Sequence, residues 1–274
     1  MRVEDLLVFG KAHCHSDHAK ILLAELLGKN PLELLNYLGE PVSEDIVSLY
    51  QKEVLALSSG KPLQYVLGRV NFYGNTFGVD ERVLIPRFET EGLVEQAIQY
   101  IHKYFHEPVD ILDLGCGSGV IGITLEKKVS TASVDLIDIS KEALEVARGN
   151  AEKLQSKVNL IENDFLSNIY KQYDVIISNP PYIAEEEEIE QIVKENEPHL
   201  ALYAGKEGLD AYEKIFQNIS INMKKRCLIA LEIGAMQAEK VTRIIQKYLK
   251  NVRIEVQKDL SEKDRMIFIF QNLE

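Results

Sequence analysis

The stretch Ser178-Asn179-Pro180-Pro181-Tyr182 closes the apolar run Tyr173-Asp174-Val175-Ile176-Ile177. A short run of that kind reads as a buried strand, and it must end where two successive prolines remove the ladder donors. Pro180 and Pro181 have no backbone N–H, and Asn179, standing before a proline, is held extended. The product is a stiff loop rich in acceptors. It offers Asn179 Oδ1 and main-chain carbonyls that no neighbouring prolyl donor can claim, with the Tyr182 ring close by to cover a flat group. Such a cradle suits a planar NH2 with two hydrogens to give. A glutamine amide and the exocyclic amine of an adenine both fit.

The elements that must position this loop begin at Val109, where apolar runs alternate with helical spacing, the mark of a parallel sheet covered on both faces. The first strand, Val109 to Leu114, runs into Asp113-Leu114-Gly115-Cys116-Gly117-Ser118-Gly119. Glycines there let backbone approach a ligand at the carboxyl edge of the sheet. Their spacing is not the G-x-G-x-x-G of dinucleotide binders, and Asp113 suits the amino group of an S-adenosylmethionine tail better than a pyrophosphate. The second strand, Ala132 to Ile137, finishes on Asp138, whose carboxylate offers two acceptors to a ribose diol, and Ser140 caps the helix that follows. The third, Val158 to Ile161, leads to Asn163-Asp164-Phe165, placed to edge and cover a purine. The fourth brings the chain to Asn179.

Ahead of this lies a different pattern. Residues 1–60 carry helical spacing only, with starts at Asn30-Pro31 and Ser43 and stops at Gly28, Gly39 and Gly60, and read as a bundle of about four short helices. Within it, His13-Cys14-His15-Ser16-Asp17-His18 has the residue types of a metal site. A helix cap at Ser16 or Asp17 would separate Cys14 from His18, so no metal is expected. Residues 61–82 read as a linker with a short hairpin turning at Gly74-Asn75, and 83–274 as the α/β domain. Arg87, Glu89 and Glu91 read locally as a charged helix start. Beyond the loop, the polar segment to about residue 207 is placed to form a flap over the site. The helix Gly208 to Asn222, the strand Cys227 to Ile233 and the helix Gln237 to Tyr248 continue the alternation. Val252 to Val256 and Met266 to Phe270 form an antiparallel end pair.

The glycine loop with Asn179-Pro180-Pro181-Tyr182 resembles the class I amino-methyltransferases, and the chain is identified as a member of the HemK/PrmC family. That family methylates the glutamine of the Gly-Gly-Gln motif in class 1 peptide chain release factors. The narrower likeness rests on Pro62-Leu63-Gln64-Tyr65, Phe72-Tyr73-Gly74, Leu84-Ile85-Pro86-Arg87, Glu89-Thr90-Glu91, Glu197-Pro198, Glu232-Ile233-Gly234 and Lys258-Asp259-Leu260. It spans nearly the whole chain. The sequence departs from the family at Phe88, where proline is usual, and at Phe165, where tryptophan is frequent. The resemblance implies a Rossmann-like class I methyltransferase sheet with a small all-α N-terminal domain, which docks substrate, and a linking β-hairpin. It implies S-adenosylmethionine as methyl donor, leaving S-adenosylhomocysteine. Asp113, Gly115, Cys116, Gly117, Ser118, Gly119, Asp138, Asp164, Phe165 and Asn179 are then expected to hold the donor. Asn179, Pro180, Pro181, Tyr182, Arg87 and Glu89 would hold the substrate, and Asn179, Pro180 and Tyr182 would serve catalysis.

Composition narrows the alternatives. The 274 residues carry a formal net charge of −12. That speaks against an adenine or other nucleic-acid amino-methyltransferase, since grip on a phosphate backbone comes from Lys and Arg releasing counterions. A ribosomal-protein glutamine methyltransferase shares the loop, whereas the stretch from Arg87 to Glu91 resembles the release-factor group more. A non-catalytic docking module would have lost the glycine loop or Asn179. The three cysteines, Cys14, Cys116 and Cys227, form no C-x-x-C pair, and disulfides are not expected. Neither a leader nor an apolar span of membrane length is read in the sequence, so a cytoplasmic protein, with no membrane or direct nucleic-acid partner, is expected.

Overall fold

The computed structural model describes residues 1–274 and divides into two compact units, Met1–Val70 with Glu190–Asn196, and Asn71–Ile189 with Glu197–Glu274. No helix is long and apolar enough to cross a membrane.

The first unit contains α1 (Val3–His13), α2 (Ser16–Leu27), a 3-10 turn at Leu34–Tyr37, α3 (Glu44–Ser58), α4 (Leu63–Leu67) and, from the later segment, α8 (Gln191–Asn196). Its core joins Val3, Leu6, Leu22, Leu23, Leu34, Tyr50, Val54 and Leu57. Helix α4 falls in the stretch that the sequence pattern assigns to the linker. The helix expected after Asn30-Pro31 is only a 3-10 turn. Asn30 Oδ1 accepts from Leu32 N–H at 2.9 Å, fixing a local turn, and Leu34 is buried while Leu35 is exposed, so no apolar stripe repays a longer helix. The break between α1 and α2 falls at Cys14, and the capping position is His15, ahead of the expected Ser16 or Asp17.

The hairpin joins β1 (Arg69–Phe72) to β2 (Asn75–Gly78). Its turn is Tyr73-Gly74, one residue earlier than the sequence suggests, and both residues have positive φ, 48° and 78°. Positive φ at both positions is the mark of a type I′ turn, whose twist matches that of the strands, and glycine meets it without strain at the second.

The second unit is built on seven strands: β3 (Val109–Leu114), β4 (Ala132–Asp138), β5 (Asn159–Glu162), β6 (Tyr173–Ser178), β7 (Met223–Glu232), β8 (Arg253–Lys258) and β9 (Asp264–Gln271). They lie in the order β5-β4-β3-β6-β7-β9-β8, the first five parallel and β9 antiparallel to both its neighbours, β7 and β8. The helices are α5 (Phe88–Tyr104), α6 (Val120–Lys128), α7 (Lys141–Leu154), α9 (His199–Leu202), α10 (Asp210–Asn222) and α11 (Ala238–Tyr248). Alternate residues of the central strands, among them Leu112, Leu114, Ile176, Ile229 and Leu231, pack against Tyr212, Ile215 and Phe216 of α10 and Val241, Ile244 and Ile245 of α11. Their neighbours in sequence, including Ile111, Asp113 and Ile177, must face the opposite layer, because side chains alternate along a strand.

Register decides what meets at the carboxyl edge. Leu114 pairs with Ile137 on one side and with Ser178 on the other, and Ser178 pairs with Leu231. The next residues, Asp138, Gly115, Asn179 and Glu232, therefore stand side by side where the strands end. The chain order reverses between β3 and β6, which opens a crevice at that edge.

Candidate active site

A cavity of about 430 Å³ fills the crevice. Its walls include Gly115 to Ser118, Asp138, Asn163 to Phe165, Asn179 and Pro181, with Leu200, Ala201 and Tyr203 to Gly205 on another side. The size is that of a small-molecule site. Gly115 and Gly117 have φ of 69° and 53°, and a Cβ built on either would meet nothing within 4 Å. The loop thus shows bare backbone to open space, as a ligand lying against it would require.

Asp138 is held from both oxygens. Oδ2 accepts from Gly117 N–H at 2.8 Å and Oδ1 from Ser140 N–H at 2.9 Å. Burial raises its pKa, opposed by those backbone donors. Ser140 in turn caps α7, its Oγ accepting from Ala143 N–H at 3.1 Å. One carboxylate therefore ties the glycine loop to the start of α7. Phe165 has a φ of 47°, and its carbonyl takes one of the two amide hydrogens of Asn163, a bond of 3.0 Å that fixes the bend carrying the ring. Asp164 faces Lys214 at 3.4 Å.

Asp113 behaves differently from the expectation of direct contact with a ligand. It is fully buried and absent from the cavity wall. Its Oδ2 accepts from Gly122 N–H at 2.9 Å inside α6, and its Oδ1 has no partner. Gly122 leaves room there, because a Cβ would sit 3.1 Å from Asp113 Oδ2 and 2.0 Å from Leu136 Cδ2. The side chain anchors α6 behind the glycine loop.

Around the acceptor loop, Ser178 Oγ donates to the Leu114 carbonyl at 2.6 Å, bridging β6 to β3. At the far end, Gln237 Nε2 donates to the Tyr182 carbonyl at 2.8 Å and to the Gly208 carbonyl at 3.2 Å. Gly208 packs so closely that a Cβ would lie 2.2 Å from the Tyr182 oxygen. Ile183 and Glu185 are stitched by backbone bonds to Leu202, Ala204 and Gly205, so the expected flap includes a wall fastened to the loop itself. Burial lifts the Tyr182 phenol to about 12, leaving a neutral ring beside the loop.

Arg87 and Glu89 are not brought into the cavity wall. Arg87 pairs with the buried Glu197 at 2.6 Å, and Glu197 also accepts from Ile85 N–H at 3.0 Å. Glu89 is exposed at the start of α5. Sequence reasoning gave no role to Glu197, Gln237, Lys214 or the buried pair Thr90 and Glu232. Glu232 had a usable signal: a carboxylate ending a long apolar strand at the same sheet edge as Asp138 and Asn179. Thr90 had none.

Burial raises both Asp113 and Glu232 to about 7. A carboxyl with a raised pKa in the folded state binds its proton more tightly there than in the unfolded chain. Protonation therefore favours folding, and this contribution is lost as pH rises through the folded value. Thermal stability is expected to fall between about pH 4.5 and about 7, with a shallower slope in Glu232→Gln. Identical slopes in calorimetric melts of the two proteins would contradict this.

Comparison with known proteins agrees with the architecture. The "Methyltransferase small domain" family model matches residues 93–202, and the "PrmC N-terminal domain" model matches residues 15–68. A Pyrococcus furiosus methyltransferase superposes with a TM-score of 0.54 at 17% identity, over 74% of this chain and 91% of that one. Sheet order, glycine loop and crevice together define a class I methyltransferase fold. The release factor glutamine methyltransferase of Bacillus subtilis is 40% identical over 256 residues, 91% of this chain and 89% of the relative. That of Streptococcus pneumoniae is 39% identical over 232 residues, 84% and 81% of the two chains. The protein belongs to the release factor glutamine methyltransferase family.

Proposed function

We propose that the protein is an S-adenosylmethionine-dependent glutamine N5-methyltransferase, acting in the cytoplasm on the Gly-Gly-Gln loop of class 1 release factors. The observation that carries this reading is the acceptor loop at Asn179, set at the cavity edge beside the glycine loop and Asp138. Gly115 to Ser118, Asp138, Asp164 and Phe165 would hold the donor, and they fit it: bare glycine backbone, a carboxylate and a ring lie along one cavity wall. Bound there, S-adenosylmethionine supplies an electrophilic methyl group on a sulfonium. Asp113 supports this wall from behind through α6.

The chemical difficulty lies with the substrate, because the lone pair of an amide nitrogen is shared with its carbonyl. Asn179 Oδ1 and the Pro180 carbonyl each accept one N–H of the glutamine, which fixes the nitrogen and enriches it electronically. Positioning of this kind contributes on the order of 7 kcal/mol when orientation is good. No strong base is needed, since the nitrogen becomes acidic on alkylation and releases its proton afterwards. Tyr182 covers the flat amide. The charge of −12 goes with a protein substrate rather than direct contact with nucleic acid.

Incubation with methyl-labelled donor and a release factor, beside the variant whose loop glutamine is asparagine, tests the reading. Label is expected only in the glutamine form. Equal labelling of both would overturn it, and transfer to RNA or to a ribosomal protein instead would identify a different substrate.

A further inference from the structure

A side-chain amide can sit in either of two orientations, and the proposed chemistry needs Asn179 to show its oxygen, not its NH2, to the substrate. The loop sequence does not decide between them. Register does, because Ser178 pairs with Leu231 and the following residues, Asn179 and Glu232, leave the sheet on the same face. The first turn of α5 brings Thr90 to that face. Thr90 Oγ1 donates to Glu232 Oε2 at 2.7 Å, and Asn179 Nδ2 donates to Thr90 Oγ1 at 3.2 Å. The Asn179 side chain also lies within reach of Glu232, where it opposes the upward shift of that carboxyl.

The direction of this chain follows from what each group can do. Above about pH 7 Glu232 is the ionised carboxylate, which only accepts, and a hydroxyl has one proton. With that proton given to Glu232, the Thr90 oxygen meets Asn179 as an acceptor as well. Both partners thus demand the NH2 end of the amide. Thr90 is 2% exposed and Glu232 1%, so water does not stand in for either. The reversed amide would press Oδ1 against two buried acceptors and remove the N–H that Thr90 accepts.

We propose that Thr90 and Glu232 are positioning residues that hold the Asn179 amide with its oxygen toward the substrate nitrogen. This rests on the role given to Asn179 above. Thr90→Val keeps the shape and removes the hydroxyl, whereas Thr90→Ser keeps the hydroxyl. Kinetics with a release factor and donor calorimetry are measured on both, with Asn179→Ala alongside. In Thr90→Val, kcat is expected to fall on the order of 10- to 100-fold while both KM values and donor affinity move by less than about threefold. Thr90→Ser should retain kcat within about threefold of the parent. Glu232→Gln should lower kcat by a smaller factor, since an oxygen remains for Thr90. Parental kcat in Thr90→Val beside an inactive Asn179→Ala overturns the inference and leaves the site reading standing. Full activity in Asn179→Ala removes the site reading itself. A loss shared in full by Thr90→Ser, or matched by lost donor affinity, marks a merely structural role and also overturns the inference.

Discussion

Replacing Asn179 by alanine is expected to lower methyl transfer to a release factor on the order of 1000-fold, because the change removes the acceptor that fixes the substrate nitrogen. The backbone should survive. Asn179 is held extended by Pro180, Ser178 ties the strand end to the Leu114 carbonyl, and Gln237 clasps the Tyr182 carbonyl, none of which uses the Asn179 side chain. Donor binding should therefore drop far less than kcat. Single-turnover transfer measured beside donor calorimetry separates the two quantities, and a variant within about threefold of the parent in both would remove the proposed chemistry.

Asp138→Ala should act in the opposite way, on donor affinity first. A charge-assisted hydrogen bond contributes roughly 1.5 to 3 kcal/mol. Here the same carboxylate also satisfies Gly117 N–H and Ser140 N–H, so its loss loosens the glycine loop and the start of α7 together. Donor affinity is expected to fall by about 100-fold or more, near or above the upper end of that range. Asp138→Asn should be little better, because one of the two backbone donors would then face an amide NH2. Calorimetry decides this, and parental affinity in either variant would remove Asp138 from the donor site.

Much of this site is legible in the order of residues along the chain. Strands alternating with helices put every parallel strand end on one edge, so Gly115, Asp138 and Asn179, each just past or at the end of an apolar run, had to converge. The acceptor character of the loop follows from two prolines that lack N–H groups. Other features were not legible for identifiable reasons. The turn at Tyr73-Gly74 fell one residue from its expected place, since local composition fits both registers and only the backbone φ signs distinguish them. The 3-10 turn at Leu34–Tyr37 replaced a helix because burial there reaches Leu34 but not Leu35. Arg87 turned to Glu197, a partner 110 residues away.

Residue types and local spacing by themselves determined the layered α/β plan, the donor-binding edge and a rigid turn of acceptors at Asn179. Only the folded chain decided which way the polar groups face. Asp113 anchors α6 behind the loop, and Glu232 becomes the neighbour of Asn179 because β7 lies beside β6 in one register and no other. A shift of a single residue would have sent Glu232 to the other face of the sheet, and spacing along one chain carries no record of that parity.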